Sequence, residues 1–286
     1  SMPVHVQPKN AKLWTPDTPH LYDIKLELLD GDKVLDTADT YFAIREVGKT
    51  VIDGKSLFTL NGKPIFQSGP LDQGFFPDGL HAAPTDEALE WDVRKTREMG
   101  FNMTRKHIKI EPSRWYYHAD RLGILVWQDM VSGGDSKVCD PELYTAYIAH
   151  LYPFGIARDI YLDDKADENG RTEPSRIQYY KELEEVVNFT RPFPSVVIWA
   201  TFNEYWGQFN AAAAVDLIRN IDSTRLVHGI SGMHDQRCGD IIDEHIYQRA
   251  LYSFEDPAKY RVPVIGEYGG TVYKVPGHTY NDETFG

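Results

Sequence analysis

The first regular pattern along the chain is an alternation of apolar and polar residues from Leu21 to Arg45. The alternation runs on both sides of an Asp-Gly turn at Asp30, and such a pattern predicts a β-hairpin whose antiparallel strands are half-buried. A segment of about 50 residues supplies only a few strands of a β-sandwich. We therefore predict a partial β-sandwich over residues 1–50, which needs partner strands from the rest of the chain, from a second copy or from further sequence.

After residue 50, short apolar runs alternate with helical stretches, a pattern typical of a βα-repeat fold with a parallel sheet. The candidate strands are seven apolar runs at residues 64–68, 101–107, 124–128, 196–203, 225–230, 241–247 and 262–266. Eight such strands closed on one another form a (β/α)8 TIM barrel. The residues after Gly270 are too few for an eighth strand and its helix. We therefore predict an α/β fold, with an incomplete TIM barrel over residues 51–286 that lacks its last strand.

Two predicted helices have clear end signals. Residues 85–99 begin with a capping box, and residues 111–122 have a proline near the first turn and Gly123 just past the end. Residues 131–180 are longer than an ordinary connection between a strand and a helix. We interpret them as an insert, with an acidic portion above the barrel mouth and a barrel helix at its end, around residues 179–189.

Composition and charge narrow the choice of partner. The net charge of −13 disfavours duplexes and anionic membranes, because binding phosphates requires clustered lysine and arginine. We therefore expect neither nucleic acid nor membrane as a partner. Aromatic residues make up 13% of the chain, which suits a pocket that stacks on the apolar faces of sugar rings. An aromatic-rich core explains the same fraction equally well.

The two cysteines, Cys139 and Cys238, are too few for a disulfide framework and lack the spacing of a zinc site. We predict both to be free thiols, and they indicate no particular cell compartment. No apolar stretch approaches the roughly 20 residues of a membrane helix. The first two residues, Ser1 and Met2, are typical of a cloning remnant, so we expect the native N-terminus to lie elsewhere.

Two glutamates each end an apolar run, Glu204 after residues 195–203 and Glu267 after residues 262–266. Catalytic groups of α/β barrels lie at the C-terminal ends of strands, so we expect the two carboxylates to face each other across the mouth. Hydrolysis of a glycosidic bond needs an acid and a second carboxylate, which attacks directly when the two are about 5 Å apart. The pair predicts a glycosidase, with the two roles unassigned; the alternative is that each glutamate pairs with a lysine or arginine.

Other polar residues share the inner faces of the predicted strands, because residues two apart on a strand point the same way. Asp243, His245 and Tyr247 form one such set, and Arg105 and His107 form another. Tyr247 by hydrogen bonding, or Arg105 by charge, can hold a nucleophilic carboxylate ionised; buried structural roles are the alternative. No further ligand pattern accompanies the Asp243 and His245 set, so we expect no metal and no cofactor.

At this point the sequence resembles glycoside hydrolase family 2, the family of β-galactosidases, β-glucuronidases and β-mannosidases. Residues 13–22 look like the late part of that family's immunoglobulin-like domain, and residues 60–65 look like the entry to its barrel. The Asn203-Glu204 pair resembles the family's Asn-Glu motif. The resemblance implies Glu204 as acid/base and Asn203 as a hydrogen bonder to the sugar 2-hydroxyl.

The same resemblance covers the second glutamate. Glu267 lies in Val-Ile-Gly-Glu-Tyr-Gly, which is similar to the family's nucleophile strand, and Tyr247 is similar to the tyrosine beside it. Residues 71–80, 127–129 and 202–208 look like a less studied branch of the family. Within them, Asp72 and Trp206 are further candidates for substrate binding.

The chain also departs from the family pattern. Its Arg105-Lys-His107 has one residue fewer than the Arg-x-x-His of β-galactosidases and β-glucuronidases. We also expect the given sequence to lack the N-terminal jelly-roll domain and the last barrel strand of the family. The candidates for substrate binding also include His107 and His245. The shorter spacing affects His107 most directly, because His107 itself lies in the altered motif.

We therefore predict a fragment of a retaining exo-β-glycosidase and rank three substrates, of which a β-galactoside is first. A β-glucuronide is second, because Arg105, Lys106 or Lys109 can pair with its carboxylate, and a β-mannoside is third. The rival interpretation is a carbohydrate-binding or assembly module without turnover, in which exposed sandwich strands favour association into a homo-oligomer. A barrel hydrolase that cuts inside polysaccharides is a further alternative.

Overall fold

The computed structural model describes residues 6–77, 79–131, 133, 171–204, 207–232, 235–246 and 259–270. The strands are β1 Tyr22–Asp30, β2 Lys33–Phe42, β3 Val47–Ile52, β4 Lys55–Leu60, β5 Lys63–Pro64, β6 Leu71–Asp72, β7 Met103–Lys106, β8 Leu125–Asp129, β9 Val196–Ala200, β10 Leu226–His228, β11 Ile241–Ile246 and β12 Val262–Tyr268. The helices are α1 Asp86–Glu98, α2 Ser113–Leu122, α3 Glu173–Thr190 and α4 Ala211–Ile221.

Strands β1 and β2 form the predicted hairpin. They pair antiparallel from Tyr22 opposite Phe42 to Asp30 opposite Lys33. The expectation of half-buried strands is wrong, however, because most of the hairpin is exposed on both faces, including Leu28 at 62% exposure. In the described part of the chain, no second layer covers either face.

In the residues that the structure describes, seven parallel strands follow in chain order. Strands β6 to β10 form one sheet in which each strand pairs with the next, and β11 pairs parallel with β12. The backbone N–H of Asp240 donates to the carbonyl of Val227, which joins β10 to the strand after it. This arrangement is the predicted α/β barrel, and six of its seven strands overlap the predicted runs.

The first barrel strand is not at the predicted residues 64–68. Pro64 instead pairs antiparallel with β4, and the barrel begins at β6, where Leu71 lies opposite Arg105. A proline lacks the N–H that a sheet ladder needs, and Pro70 ends this apolar run. The side chain of Asn102 bonds the backbone of Ser68 and Phe66 instead.

The helices have the predicted ends. The Thr85 hydroxyl accepts from the N–H of Ala88 at the start of α1, and Gly123 ends α2 in the left-handed conformation, with φ 76°. Helix α3 includes the predicted barrel helix at 179–189. Residues 134–170 of the predicted insert, with Cys139, lie outside the described residues. In the described ranges, no helix has both the length and the apolar character needed to span a membrane.

The apolar core has two layers, which leave the C-terminal ends of the strands for polar groups. One layer lies between the helices and the sheet, and the other fills the lower part of the barrel around Trp14, Leu125 and Trp127. The buried Trp14 ring donates to the carbonyl of Asp120, and the Tyr41 hydroxyl donates to the Asp120 carboxylate at 2.7 Å. These bonds attach the hairpin base to α2.

Candidate active site

The two glutamates lie together at the mouth of the barrel. Glu204 follows β9 and Glu267 is in β12, and one carboxylate oxygen of each lies within 4.8 Å of the other and of a ring nitrogen of His245. The two residues are 63 positions apart in the sequence, so the parallel order of the strands brings them to the same end. The separation is in the range that permits direct attack by one carboxylate on a sugar held between them.

Glu267 pairs with Arg105 of β7 and lies near His107, the residue just after that strand. Arg105 donates from Nη1 to Glu267 Oε1 at 3.1 Å, and His107 Nε2 lies 3.7 Å from the same oxygen. Arg105 also bonds both oxygens of the buried Asp129 and donates to Asn203 Oδ1 at 2.8 Å. Burial alone would lower the pKa of Arg105, but the carboxylates of Asp129 and Glu267 outweigh it and raise that pKa. The guanidinium is therefore a fixed cation that links β7, β8, β12 and the segment just after β9.

Glu204 pairs with a histidine. Its Oε2 lies 2.6 Å from His245 Nδ1, and His245 Nε2 lies 2.9 Å from the hydroxyl of Ser231. The Ser231 hydroxyl donates to Asp243 Oδ2 at 2.7 Å. Burial alone would lower the pKa of His245, but its hydrogen bonds to Asp243 and Glu204 raise it to about 10.

The same contact also acts on the pKa of Glu204. Dry, apolar surroundings raise the pKa of a carboxylic acid. Burial does act in that direction, but the hydrogen bond and the charge of His245 more than offset it and lower the pKa of Glu204. The carboxyl group thus lies beside a cation and not only beside apolar side chains.

The other predicted residues fall into two groups. Asp72 lies at the end of β6, where its Oδ2 accepts from Lys106 Nζ at 2.5 Å and its Oδ1 accepts from the N–H of Gly74. Its neighbour Gln73 contacts His107 Nδ1 at 3.2 Å, so the loop after β6 reaches the site. Tyr247 and Trp206 lie outside the described residues, and their roles stay predictions.

Two residues of the site were missed by the reasoning from sequence. Asp129 ends the buried run of β8, which is the same signal that drew attention to Glu204 and Glu267, so this carboxylate could have been found. Ser231 follows β10 in a loop, where no periodicity points to it. Asp243 was placed on the inner face together with His245, and both lie there.

The cluster of Glu204, His245 and Glu267 is of a size that a metal ion can occupy. Ligands of a tetrahedral zinc ion at about 2.0–2.1 Å are roughly 3.3 Å from each other. His245 Nδ1 and Glu204 Oε2 are closer than that, at 2.6 Å, which is a hydrogen-bond distance. An ion between them therefore requires the pair to separate, because the two atoms are in direct hydrogen-bond contact.

Comparison with known proteins finds one family over nearly the whole chain. A family model described as "Glycosyl hydrolases family 2, TIM barrel domain" matches residues 51–279, and a second, described as "Glycosyl hydrolases family 2", matches residues 3–45.

Curated relatives are similar at low identity. A protein named putative beta-glucuronidase from Formosa agariphila is 27% identical over 223 residues, which are 78% of this chain and 18% of the relative. A beta-galactosidase from Leuconostoc mesenteroides is 27% identical over 235 residues, which are 82% of this chain and 20% of that protein. The chain therefore spans about a fifth of the length of these relatives.

Solved structures share the fold. A beta-glucuronidase of Parabacteroides merdae, crystallised with glycerol in its active site, superposes with a TM-score of 0.64 and 21% identity, covering 85% of this chain and 28% of that one. A beta-glycosidase from Bacteroides vulgatus gives a TM-score of 0.59 and 22% identity over 83% of this chain and 27% of that one. These likenesses confirm the barrel with a preceding β-sandwich.

Proposed function

The chain belongs to glycosyl hydrolase family 2. We propose that it carries the catalytic centre of a retaining exo-β-glycosidase, and that β-galactosides are its preferred substrates. The observation that supports this proposal is the meeting of Glu204 and Glu267, within 4.8 Å, at the C-terminal ends of their strands. A spacing of this kind suits a double displacement through a covalent glycosyl-enzyme.

The surroundings of the two carboxylates favour one assignment of roles. Glu267 pairs with Arg105, a fixed cation that suits a group which must stay an anion until it attacks. Glu204 pairs with His245, whose ring itself gains and loses a proton. We therefore assign Glu267 as the nucleophile and Glu204 as the acid and base.

The reaction then runs in two balanced steps. In the first, a Glu267 oxygen bonds to the anomeric carbon, the bond from that carbon to the leaving oxygen breaks, and the Glu204 proton goes to the leaving oxygen. In the second, Glu204 takes a proton from water, the water oxygen bonds to the anomeric carbon, and the bond to Glu267 breaks.

The charges of the site favour an uncharged sugar. The three cations considered as partners of a glucuronide carboxylate already engage the chain's own carboxylates: Arg105 with Asp129 and Glu267, Lys106 with Asp72 and Glu111, and Lys109 with Glu111. A sugar carboxylate would therefore join an acidic site without a new partner from these three. We rank the β-galactoside first, and the β-mannoside ahead of the β-glucuronide.

The test of the acid is the leaving-group dependence of hydrolysis. The purified chain is assayed on nitrophenyl and alkyl β-galactosides, with β-glucuronides and β-mannosides in parallel. We expect Glu204→Gln to slow the alkyl substrates by about 10²–10⁴-fold and the nitrophenyl substrate far less, because a good leaving group needs no proton. Glu184→Gln on the exposed face of α3 is the matched control. Equal loss on both substrates contradicts the role of Glu204, and sugar binding without turnover supports the rival binding module.

The test of the nucleophile is covalent trapping. A 2-fluoro β-galactoside with a reactive leaving group slows breakdown of the glycosyl-enzyme, so we expect mass spectrometry of peptides to find one label, on Glu267. The label is lost in Glu267→Gln and kept in Glu184→Gln. A label on any other residue overturns the assignment.

A further inference from the structure

His245 lies between the proposed acid and a buried carboxylate. One ring nitrogen contacts Glu204 Oε2 at 2.6 Å, and the other contacts the Ser231 hydroxyl, which is held by Asp243. The reasoning from sequence placed His245 among the residues that bind substrate. Its side chain is 2% exposed, and both nitrogens are engaged by the protein, so its contacts serve Glu204 more directly than a sugar.

Two glycines help to fix the orientation of the His245 ring, one packed against the ring itself and one against Asp243. A Cβ on Gly232 would lie 2.8 Å from the His245 ring, and the backbone there has φ +75°, so both space and conformation favour glycine. A Cβ on Gly266 would lie 2.1 Å from Asp243, whose Oδ1 accepts from the Gly266 N–H. The Asp243, Ser231 and His245 contacts therefore hold Nδ1 towards Glu204.

The charges around the Glu204 and His245 pair come from every strand that faces it. They are Arg105 in β7, His107 just after β7, Asp129 in β8, His228 in β10, Asp243 in β11 and Glu267 in β12. Burial lowers the pKa of His228, so this ring adds no charge at neutral pH. Among the described residues around the pair, the carboxylates of Asp129, Asp243 and Glu267 outnumber the one fixed cation, Arg105, and an environment of this kind retains one proton on the pair.

We propose that His245 is a positioning residue that stores the acid's proton: Glu204 and His245 share one proton, which rests on Nδ1 and passes to Glu204 for the first chemical step. This inference rests on the proposed function. After the leaving group departs with the proton, His245 is neutral and Glu204 is a carboxylate. In the second step the proton that Glu204 takes from water returns to Nδ1, so the pair ends the cycle as it began. The pair titrates as a unit and not as two independent groups.

The shared proton has a direct readout that needs no turnover. The whole chain is labelled with ¹⁵N-histidine, and the ring signals of His245 are identified by their loss in H245N. We expect a ring protonated on both nitrogens at pH 8 in the unaltered chain, and a titration midpoint more than about one pH unit lower in E204Q, because the partner's charge is gone. A neutral His245 ring at pH 7, or an unchanged midpoint in E204Q, overturns the proposal.

The second readout is the pH dependence of kcat/KM on an alkyl β-galactoside. With the stored proton, we expect the unaltered chain to keep its rate within a few-fold from pH 6 to pH 8. In H245N, which keeps a side-chain N–H donor but stores no proton, the rate should fall about tenfold per pH unit, as a lone carboxylic acid loses its proton. H228N is the matched control, because His228 also neighbours Asp243, at 3.5 Å. Its profile should follow the unaltered chain.

Parallel profiles in H245N and the unaltered chain overturn the storage role. If the unaltered chain hydrolyses none of the glycosides, the proposed function fails for this chain, and the histidine titration alone decides whether the proton is shared. If H245N does not fold, the comparison of E204Q with the unaltered chain decides the same question.

Discussion

The hairpin of β1 and β2 and the mouth of the barrel are opposites in polarity. The hairpin exposes leucines, with Leu26, Leu28 and Leu35 each more than half exposed, while the mouth buries charged side chains such as Arg105 and Asp129. An exposed leucine loses only the free energy that burial of its side chain would give, because it has no polar group that needs a partner. A buried charge is costly unless partners surround it. The comparison therefore predicts that substitutions in the two regions differ greatly in effect.

The largest effect on stability is expected at Arg105. Arg105→Met keeps much of the side-chain volume but leaves Asp129 and Glu267 buried without their cation, so we expect a loss of about 3–5 kcal/mol in the free energy of unfolding. Urea denaturation followed by circular dichroism measures it. The matched control is Arg94→Met on α1. The side chains of Arg94 and its ion-pair partner Glu98 are 41% and 46% exposed, so this pair should contribute under about 1 kcal/mol.

An equal loss in the free energy of unfolding for the two arginine variants would contradict this prediction. It would mean that the buried ion pairs of Arg105 stabilise the protein no more than the exposed pair of Arg94 does.

A smaller contrast is expected between two leucines. Leu125→Ala removes a fully buried side chain in β8 and should cost about 2–4 kcal/mol, whereas Leu28→Ala at 62% exposure should change the free energy of unfolding by less than about 0.5 kcal/mol. Both are measured by the same urea denaturation. A cost at Leu28 comparable to that at Leu125 would show that the hairpin is covered in solution, for example by a second copy of the chain.

Much of the fold follows from apolar runs and their ends. The hairpin, six barrel strands and the ends of α1 and α2 were predicted because each rests on local chemistry: an Asp-Gly turn, continuous apolar residues, a capping threonine and a terminal glycine. The exposure of the hairpin and the position of the first barrel strand were not. Both depend on what packs against a segment, and a single segment does not specify its neighbours.

The candidate site was predictable in its members but not in their pairing. Strand periodicity placed Arg105 and His107 on the inner face, yet Lys106, which lies between them, was also predicted as a partner for a substrate carboxylate. Lys106 points the other way, fully buried, with Nζ 3.0 Å from Glu111 and 4.2 Å from the centre of the Trp115 ring. Contacts such as that of Glu204 with His245 span 41 positions and arise from strand packing, so neither their distances nor their effects on pKa can be predicted from local pattern.

Gly266 has no functional group, yet the structure leaves no room for a side chain there, since a Cβ would lie 2.1 Å from Asp243 Oδ2. Even an alanine there would displace Asp243, and the disturbance would pass through Ser231 and His245 to Glu204. The position of the Glu204 carboxylate therefore depends on a residue that has no side chain to contact it. In this barrel, the space left by a missing side chain is itself a structural requirement of the mouth.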